Sequence, residues 1–436
     1  MNERQGLDGW LEVLESRHAQ TIQLGLERVA DVFGRLAPRG AVPVVITVGG
    51  TNGKGSSCAM LESIYRAAGY RVGVYTSPHL VRYTERVRIA GEEASEAAMV
   101  AALERVEAAR EDVTLTYFEH GTLAAWWLFC EAHVDVVILE VGLGGRLDAV
   151  NVIDPDCALL TGVALDHQDY LGATLETIGF EKAGIFRPGR PAICADPQPP
   201  ASVLEHATAI GADFHLAGRD FGFSSDHVQW QYWLEHEGAS VRRSGLGHPA
   251  LRGVNQLRNA AAVLTVVETL KPQLPVSMQA VREGLMHVSL AGRFQIIPGQ
   301  PPVVLDVAHN VEAAAALAEN LFAMGFFAQT VAVLGMYADK DVEGVVRRLA
   351  PRVDRWLLCD LDGQRGLSAE ALAERVRGAG VEGELERHRD PVIAFSAAQR
   401  YAGENDRILV FGSFMTVAAV MQNLEVAGTG RSRGRN

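Results

Sequence analysis

The sequence predicts an α/β protein that begins with a parallel, doubly wound sheet and continues into a second, smaller α/β unit. Three observations support this fold class. Over residues 43–184, short apolar runs alternate with segments of helical length and spacing, which is typical of a parallel sheet covered by helices. A glycine-rich loop at residues 49–55 joins one apolar run to the next helix. The alternation returns near residue 293 and continues to residue 411.

The elements of the N-terminal part follow in order from apolar runs and turn residues. The predicted strands are Pro43–Val48, Arg71–Tyr75, Asp135–Leu139 and Cys157–Thr161. The predicted helices are Leu7–Glu15, Leu26–Leu36, Gly55–Ala68, Glu93–Ala109, Thr122–Ala132, Thr174–Gly184, Gln256–Leu270 and Ser277–Val288. Residues 192–247 differ, because aromatic-rich alternating pieces such as residues 227–235 indicate an antiparallel patch.

The C-terminal part repeats the α/β pattern after a predicted domain boundary at residues 288–295, which gives domains at 1–288 and 295–436. Its predicted strands are Val303–Asp306, Thr330–Gly335, Arg355–Cys359 and Arg407–Phe411. Its predicted helices are Val311–Met324, Val342–Leu349 and Ser368–Arg377. Residues 428–436 are small, polar and basic, so we expect a disordered tail there.

Composition excludes several classes of protein. With 40 basic and 53 acidic residues, the net charge is −13, whereas a general nucleic-acid binder needs a basic face. The five cysteines are scattered and form no C-x-x-C pair, so they are expected to be buried and reduced. Neither a secretion signal nor an apolar run of about 18 residues is visible. We therefore expect a cytoplasmic protein with no nucleic-acid or membrane partner.

The strongest motif is the loop Val48-Gly49-Gly50-Thr51-Asn52-Gly53-Lys54-Gly55-Ser56-Ser57, which lies between a strand and a helix. Its glycines allow backbone amides to surround an anion at the helix N-terminus. Lys54 would supply positive charge to the β- and γ-phosphates, and Ser56 would contact Mg²⁺ or a phosphate oxygen. Gly55 separates Lys54 from Ser56, so the usual phosphate-loop pattern matches loosely. The alternative is an ordinary glycine-rich turn, which the four glycines and the lysine between a strand and a helix disfavour.

Three further polar residues follow predicted strands. Glu140 ends one strand and is a candidate ligand for Mg²⁺, which prefers oxygen; the alternative is a capping or ion-paired acid. His167 follows another strand and becomes a plausible ligand beside Glu140, although a lone histidine is more often structural. Ser77 follows a third strand. Lys182 lies on a helix, where the residue type alone indicates a solvated surface position.

Together, the motifs resemble a known family. They are Gly50–Ser56, Ser77-Pro78-His79-Leu80, Leu139–Arg146, Leu165-Asp166-His167, Glu181-Lys182-Ala183-Gly184, Ala291-Gly292-Arg293-Phe294, Asp306–Asn310 and Gly412-Ser413-Phe414. In this order, and over nearly the whole chain, they resemble the folylpolyglutamate synthases in their bacterial bifunctional form, which are also dihydrofolate synthases and belong to the Mur ligase superfamily.

The resemblance implies a P-loop ATPase domain followed by a Rossmann-like domain, and the amide ligation of L-glutamate to dihydropteroate and to reduced folates through an acyl phosphate. It implies ATP, Mg²⁺ (two ions), K⁺ and a monomer. ATP contacts are implied at Gly53, Lys54, Gly55, Ser56, Asn259, Arg293 and Asp306. Metal ligands are implied at Ser77, Glu140 and His167. Lys182 matches a lysine that related enzymes carbamylate, and His309, beside Asn310, is a candidate helper in catalysis or a structural histidine.

For dihydropteroate, the resemblance implies contacts from three segments, which are Leu24-Gly25-Leu26, Thr116-Tyr117-Phe118-Glu119 and Leu147-Asp148-Ala149. Two other functions stay open at this point. One is a cell-wall ligase that adds an amino acid to a nucleotide-linked peptide, although the loop at residue 49 leaves little room for the extra N-terminal domain of those enzymes. The other is a P-loop switch without ligase activity. The elaborate second domain, with Asp306–Asn310, argues against this alternative.

Overall fold

The computed structural model describes residues 6–18, 22–36, 42–226, 228–236, 238–363 and 365–433. Two compact units are present. The first comprises Met1–His79, Tyr83–Ala250 and Gln256–Ser289, and the second comprises Leu80–Arg82, Leu251–Asn255 and Leu290–Asn436. Two short segments from the N-terminal part of the chain therefore belong to the second unit, which the sequence alone did not indicate.

The first unit is built on an eight-stranded sheet. Its strands are β1 (Val44–Gly49), β2 (Val72–Tyr75), β3 (Val87–Ile89), β4 (Glu92–Glu93), β5 (Val136–Glu140), β6 (Cys157–Leu160), β7 (Pro191–Cys194) and β8 (Asp213–Leu216). The spatial order is β4-β3-β2-β5-β1-β6-β7-β8. Neighbours from β2 to β8 are parallel, so their carboxyl ends meet at one edge of the sheet.

Within the described residues, ten α-helices of this unit pack around its sheets. They are α1 (Leu7–Arg17), α2 (Glu27–Leu36), α3 (Lys54–Ala67), α4 (Glu96–Arg110), α5 (Tyr117–Glu131), α6 (Gln168–Leu171), α7 (Leu175–Ala183), α8 (Ala201–Ile210), α9 (Gln256–Thr269) and α10 (Met278–His287). Strand β1 is buried between β5 and β6, with Ile46 and Val48 fully inaccessible. The loop that follows β1 therefore lies at the centre of the sheet edge.

The two helix starts that differ most from the prediction are those of α4 and α5, where side-chain caps decide where the helices begin. Ser95 accepts a hydrogen bond from the Ala98 backbone, so α4 begins at Glu96 and not at Glu93. Thr116 and Glu119 form a capping box, so α5 begins at Tyr117, five residues before the predicted start.

The antiparallel patch is smaller than the predicted range 192–247. Residues 191–216 instead extend the parallel sheet through β7, α8 and β8, because a strand, a helix and a second strand complete another parallel crossover there. The patch itself is a three-stranded sheet of β9 (Phe221–Ser225), β10 (Gln229–His236) and β11 (Ala239–Gly247), in the order β11-β10-β9. The predicted piece 227–235 coincides with β10, except that residue 227 lies outside the described residues.

The second unit contains a six-stranded sheet in the order β12-β13-β17-β14-β15-β16. The strands are β12 (Gln295–Ile297), β13 (Val303–Asp306), β14 (Thr330–Leu334), β15 (Arg355–Cys359), β16 (Leu385–His388) and β17 (Arg407–Phe411). The helices are α11 (Val311–Ala323), α12 (Val342–Leu349), α13 (Ala369–Gly378), α14 (Pro391–Tyr401) and α15 (Phe414–Arg433). All strand pairs are parallel except β12 with β13, so this unit is also a doubly wound α/β structure.

The C-terminal tail corrects one expectation. Helix α15 continues to Arg433, so the backbone of residues 428–433 is helical, whereas residues 434–436 lie outside the described part. Extending an existing helix requires no new nucleation and no proline interrupts this one, which accounts for the difference.

All five cysteines are buried and free, as predicted. None of the helices in the described ranges has the length and apolarity to cross a bilayer.

Candidate active site at the phosphate loop

The loop between β1 and α3 is held against the end of β6. The Thr161 hydroxyl lies 2.6 Å from the carbonyl oxygen of Asn52, to which it donates, and 3.1 Å from that of Gly49. The Thr51 backbone donates to the Gly162 carbonyl at 2.9 Å. Gly50 has φ +138°, and a Cβ there would come within 2.0 Å of Thr161 Oγ1. The loop therefore approaches β6 so closely that only glycine fits at position 50.

Two lysine side chains point to the same carbonyl of this loop. Lys54 Nζ donates to the carbonyl oxygens of Gly50 at 3.0 Å and Thr51 at 3.2 Å. Lys182 Nζ donates to the Gly50 oxygen at 3.1 Å. Burial, reinforced by the charge of Lys54, lowers the pKa of Lys182 to about 7. The expectation of a surface lysine is therefore wrong, because α7 packs this side chain beneath the loop, where it is 5% exposed.

Asn259 and Ser56 lie beside the loop on neighbouring helices. Gly53 precedes α3 with φ +89°, and a Cβ there would lie 3.0 Å from Asn259 Oδ1. Asn259 Nδ2 donates to Gln256 Oε1 at 3.2 Å, and Gln256 Nε2 lies 3.4 Å from Ser56 Oγ. Helix α9 thus brings Asn259 to the phosphate loop. The sequence does not show this proximity, because α9 begins 200 residues after Ser56. Gly55 lies in the first turn of α3.

The three predicted metal ligands follow strands of the same sheet edge. Glu140 ends β5 and is buried, and its carboxylate accepts a hydrogen bond from the Ser77 backbone at 3.2 Å. His167 follows β6, where it has φ +50°, and its backbone N–H donates to Asp166 Oδ1 at 2.9 Å. The structure brings Ser77 and Glu140 into direct contact. His167 lies at the same edge, with β1 and its loop between its strand and that of Glu140.

The segments predicted to hold dihydropteroate lie next to one another. Gly25, between Leu24 and Leu26, donates its backbone N–H to the Leu147 carbonyl at 3.2 Å. Phe118 lies over Gly142, where a Cβ would come within 2.7 Å of its ring, and 5.8 Å from the ring of Tyr75. Gly142 belongs to the loop that follows β5 and continues to Leu147. The N-terminus of α5 and the segment before α2 thus converge on this loop.

Two acids in these segments have structural partners. The Asp148 carboxylate, which precedes Ala149, accepts backbone hydrogen bonds from Leu143 at 2.8 Å and Val150 at 3.1 Å, and burial raises its pKa to about 6. Glu119 accepts from the Thr116 backbone and pairs with Arg28 Nη2 at 2.7 Å. The carboxylates therefore fix the shape of these segments, whatever else they contact.

In the second unit, the predicted residues surround Phe414. The guanidinium of Arg293 lies 5.1 Å from the ring centroid of Phe414, and the imidazole of His309 lies 6.3 Å from it. Asp306 accepts backbone hydrogen bonds from Phe294 and Ala308, both at 2.8 Å, and burial raises its pKa. His309 Nδ1 lies 2.8 Å from the Val307 carbonyl, so Nδ1 carries the proton of the neutral ring and Nε2 is the nitrogen that accepts one.

Comparisons with known proteins show the family of this chain. The Mur ligase middle domain matches residues 48–267, and the Mur ligase glutamate ligase domain matches residues 292–414. The dihydrofolate synthase/folylpolyglutamate synthase of Escherichia coli (strain K12) is 45% identical over 424 residues, which are 97% of each chain. This chain belongs to the bifunctional dihydrofolate synthase/folylpolyglutamate synthases of the Mur ligase family.

Solved structures of this family share the whole fold. E. coli FolC in complex with DHPP and ADP gives a TM-score of 0.89 at 44% identity and covers 97% of this chain and 98% of its own. A bifunctional synthase with Mn, AMPPNP and L-glutamate bound gives 0.88 at 45% identity with the same coverage. As a family member the chain is an ATP-dependent ligase, and the cell-wall ligase and the P-loop switch are not favoured.

Sequence reasoning missed several residues of this synthase. Thr161 and Gln256 shape the phosphate loop, and Arg28 holds Glu119. The Arg86 guanidinium lies 5.3 and 5.4 Å from the rings of Tyr83 and Tyr117, and its Nε donates to His79 Nδ1 at 2.9 Å. Burial, with the neighbouring charge of Arg86, lowers the pKa of His79 to about 4. Of these residues, Thr161 could have been found from the sequence, because it lies at the end of the predicted strand that becomes β6.

Proposed function

We propose that this synthase joins L-glutamate to dihydropteroate, which gives dihydrofolate, and to reduced folates, which gives folylpolyglutamates. ATP is converted to ADP and phosphate in each cycle. The observation that carries the proposal is that Lys54 and Lys182 both donate hydrogen bonds to the Gly50 carbonyl of the phosphate loop. The hydrogen bond from the Ser77 backbone to Glu140, at the same sheet edge, adds to it. The names of the relatives and the glutamate ligase domain at residues 292–414 support it.

The first step activates the pteroate carboxylate, which is a poor electrophile. A carboxylate oxygen attacks the γ-phosphorus in line, the bond from that phosphorus to the β,γ-bridging oxygen breaks, and ADP leaves with an acyl phosphate formed. The loop amides and the Lys54 ammonium would hold the phosphates, with Ser56 and Asn259 beside them and Gly53 and Gly55 keeping the backbone close. Positioning and charge neutralisation account for most of the catalysis in such transfers.

A divalent ion fits the donor set at the strand ends. Ser77 offers a hydroxyl, Glu140 a buried carboxylate and His167 an imidazole, a set suited to Mg²⁺ or Mn²⁺. When bound there, the ion would neutralise charge on the transferring phosphoryl group. A relative described with Mn and AMPPNP bound supports this assignment.

Lys182 would be carbamylated. Its pKa of about 7 leaves about half of the amine neutral at pH 7, and a neutral amine attacks CO₂ to form an N–C bond with loss of one proton. The product is an anion in place of a cation, which would help to hold a second Mg²⁺.

A requirement for K⁺ stays a prediction from the resemblance, and replacing K⁺ by Na⁺ in the assay tests it.

The second step forms the amide. The glutamate amine must lose a proton before it attacks the acyl phosphate carbon, after which phosphate leaves. In the second unit, His309 would accept that proton at Nε2, because Nδ1 is engaged with Val307.

The remaining predicted residues would bind the substrates. Arg293 and Asp306 would contact the nucleotide. Leu24–Leu26, Thr116–Glu119 and Leu147–Ala149 would hold dihydropteroate. We further expect a cytoplasmic monomer.

Product analysis tests the function directly. The purified chain would receive ATP, Mg²⁺ and L-glutamate with either dihydropteroate or a reduced folate, and products would be identified by mass spectrometry. We expect a mass increase of one glutamyl residue per cycle and phosphate release that requires both the pterin substrate and glutamate. Phosphate release without glutamate, with no ligated product, would instead indicate an ATPase.

A further inference from the structure

A second cluster of metal-ligating side chains lies away from the phosphate loop, at the far edge of the eight-stranded sheet. Asp213 and His215 are two residues apart on the edge strand β8, so their side chains share one face of the sheet. His236 ends β10 of the three-stranded sheet. One ligand atom from each of these residues lies within 4.8 Å of the other two.

The distances suit a single ion. Asp213 Oδ1 lies 2.8 Å from His236 Nε2, and Asp213 Oδ2 lies 3.3 Å from His215 Nε2. Ligand atoms on one tetrahedral Zn²⁺, at about 2.0–2.2 Å from the metal, stand roughly 3.4 Å apart. The two imidazole centroids are 3.8 Å apart. A small movement of these side chains would therefore complete three bonds to a common centre.

His215 supplies an independent sign that a ligand belongs here. Its side chain is 4% exposed, and its Nε2 has only the Asp213 carboxylate at 3.3 Å, without hydrogen-bond geometry, while its Nδ1 has no hydrogen-bond partner within the described part of the chain. A buried imidazole without a well-formed hydrogen bond costs free energy, because it has lost its hydrogen bonds to water. A cation bound between the three side chains would give one of these nitrogens a partner.

We propose that Asp213, His215 and His236 bind one divalent transition-metal ion of the Zn²⁺ class. Two imidazoles and one carboxylate are a typical ligand set for such an ion, with water at the fourth position. Asp220 Oδ1 lies 3.9 Å from His236 Nδ1, where it would orient the ring as an outer carboxylate. The ion would tie the three-stranded sheet to β8 and would stabilise the unit without entering the ligation reaction.

Titration with Co²⁺ and Zn²⁺ tests this site. The full chain, without a histidine tag and freed of metal by a chelator, would be titrated in millimolar Mg²⁺, which occupies the nucleotide-linked metal positions. We expect one equivalent of Co²⁺ to give the intense visible absorption of a tetrahedral nitrogen and oxygen site, and Zn²⁺ to displace it and raise Tm.

Variants decide whether these residues are the ligands. His236→Gln, which alters a partly buried side chain at the end of β10, and Asp213→Asn should each abolish the Co²⁺ spectrum and the Zn²⁺-dependent rise in Tm. The matched control His248→Gln, on an exposed histidine that contacts Ser225, should retain both. Wild-type protein with no tetrahedral spectrum, or variants that bind like wild type, would overturn the proposal. The wild-type spectrum answers the question even if a variant fails to fold.

Discussion

Lys54 and Lys182 donate hydrogen bonds to the same acceptor, the carbonyl oxygen of Gly50, over 3.0 and 3.1 Å. Two ammonium groups in such proximity repel each other, and the charge of Lys54 is the second cause of the lowered pKa of Lys182 after burial. The loop therefore holds the positive charge of Lys54 beside a second amine whose proton is weakly held. That arrangement favours a triphosphate and also favours the loss of one of the two protons.

Replacing Lys54 by alanine should abolish most ligation. We expect kcat to fall by about 10²–10³-fold, as is usual when one group that stabilises transition-state charge is lost. ADP release with saturating ATP measures the effect. Lys271→Ala removes an exposed lysine that pairs only loosely with Glu268 at 3.8 Å and should leave the rate unchanged. Near-normal ligation by Lys54→Ala would contradict the role of this residue.

Replacing Lys182 by alanine tests the carbamate. Activity should be lost and should return in part when short carboxylates such as acetate are added, since they replace the missing anion. In the wild type, activity should increase with bicarbonate and with pH through about 7, because the amine reacts with CO₂ only when neutral. Full activity of Lys182→Ala without additives would remove this residue from the mechanism, and ¹³CO₂ NMR would report the carbamate directly.

Lys182 also predicts a pH dependence of stability. Its native pKa of about 7 lies below the unfolded value of about 10.4, so between these values the unfolded state binds more protons. Unmodified protein should therefore gain stability as pH rises from 7 to 10. In Lys182→Met this gain should be absent. Urea denaturation in CO₂-free buffer at pH 7 and pH 9.5 measures it, and equal pH responses of the two proteins would contradict the prediction.

Gly50→Ala should impair nucleotide binding more than it impairs folding. Its Cβ would meet Thr161 Oγ1 at 2.0 Å, so the loop must move away from β6. We expect the Kd for ATP to rise at least about tenfold, which corresponds to roughly 1.4 kcal/mol. Gly69→Ala is the matched control, because Gly69 also has positive φ but a Cβ there meets nothing within 4 Å. Equal ATP affinities of the two variants, by calorimetry, would refute the steric argument.

Arg28→Ala should act on the pterin side alone. Loss of Arg28 leaves the buried Glu119 carboxylate without this cation, which should loosen the start of α5. We expect KM for dihydropteroate to rise by about tenfold, typical of a lost charged hydrogen bond, with KM for ATP unchanged. Arg35→Ala, which removes exposed pairs with Asp31 and Glu111, serves as control. A parallel rise in both KM values would contradict an effect confined to the pterin side.

The sequence predicted the strands that carry the site, because each apolar run ends at the residue that matters, as at Glu140 and Gly49. It failed where tertiary packing decides. Lys182 looks solvated until α7 is placed beneath the loop, and Asn259 joins the loop only through the packing of α9. The antiparallel patch was overextended because β7 and β8 have only four residues each, too few for the apolar pattern to distinguish parallel from antiparallel pairing. His215 and His236 meet only across two different sheets.

The hydroxyl of Thr161 donates a hydrogen bond to the Asn52 carbonyl over 2.6 Å. Because it ties the bend after β1 to the neighbouring strand, this stretch of backbone is already ordered before a triphosphate is captured. Little conformational entropy is then lost on capture. More of the binding free energy is left for aligning the γ-phosphorus with its attacking oxygen, so we expect this hydrogen bond to contribute to the speed of the chemical step.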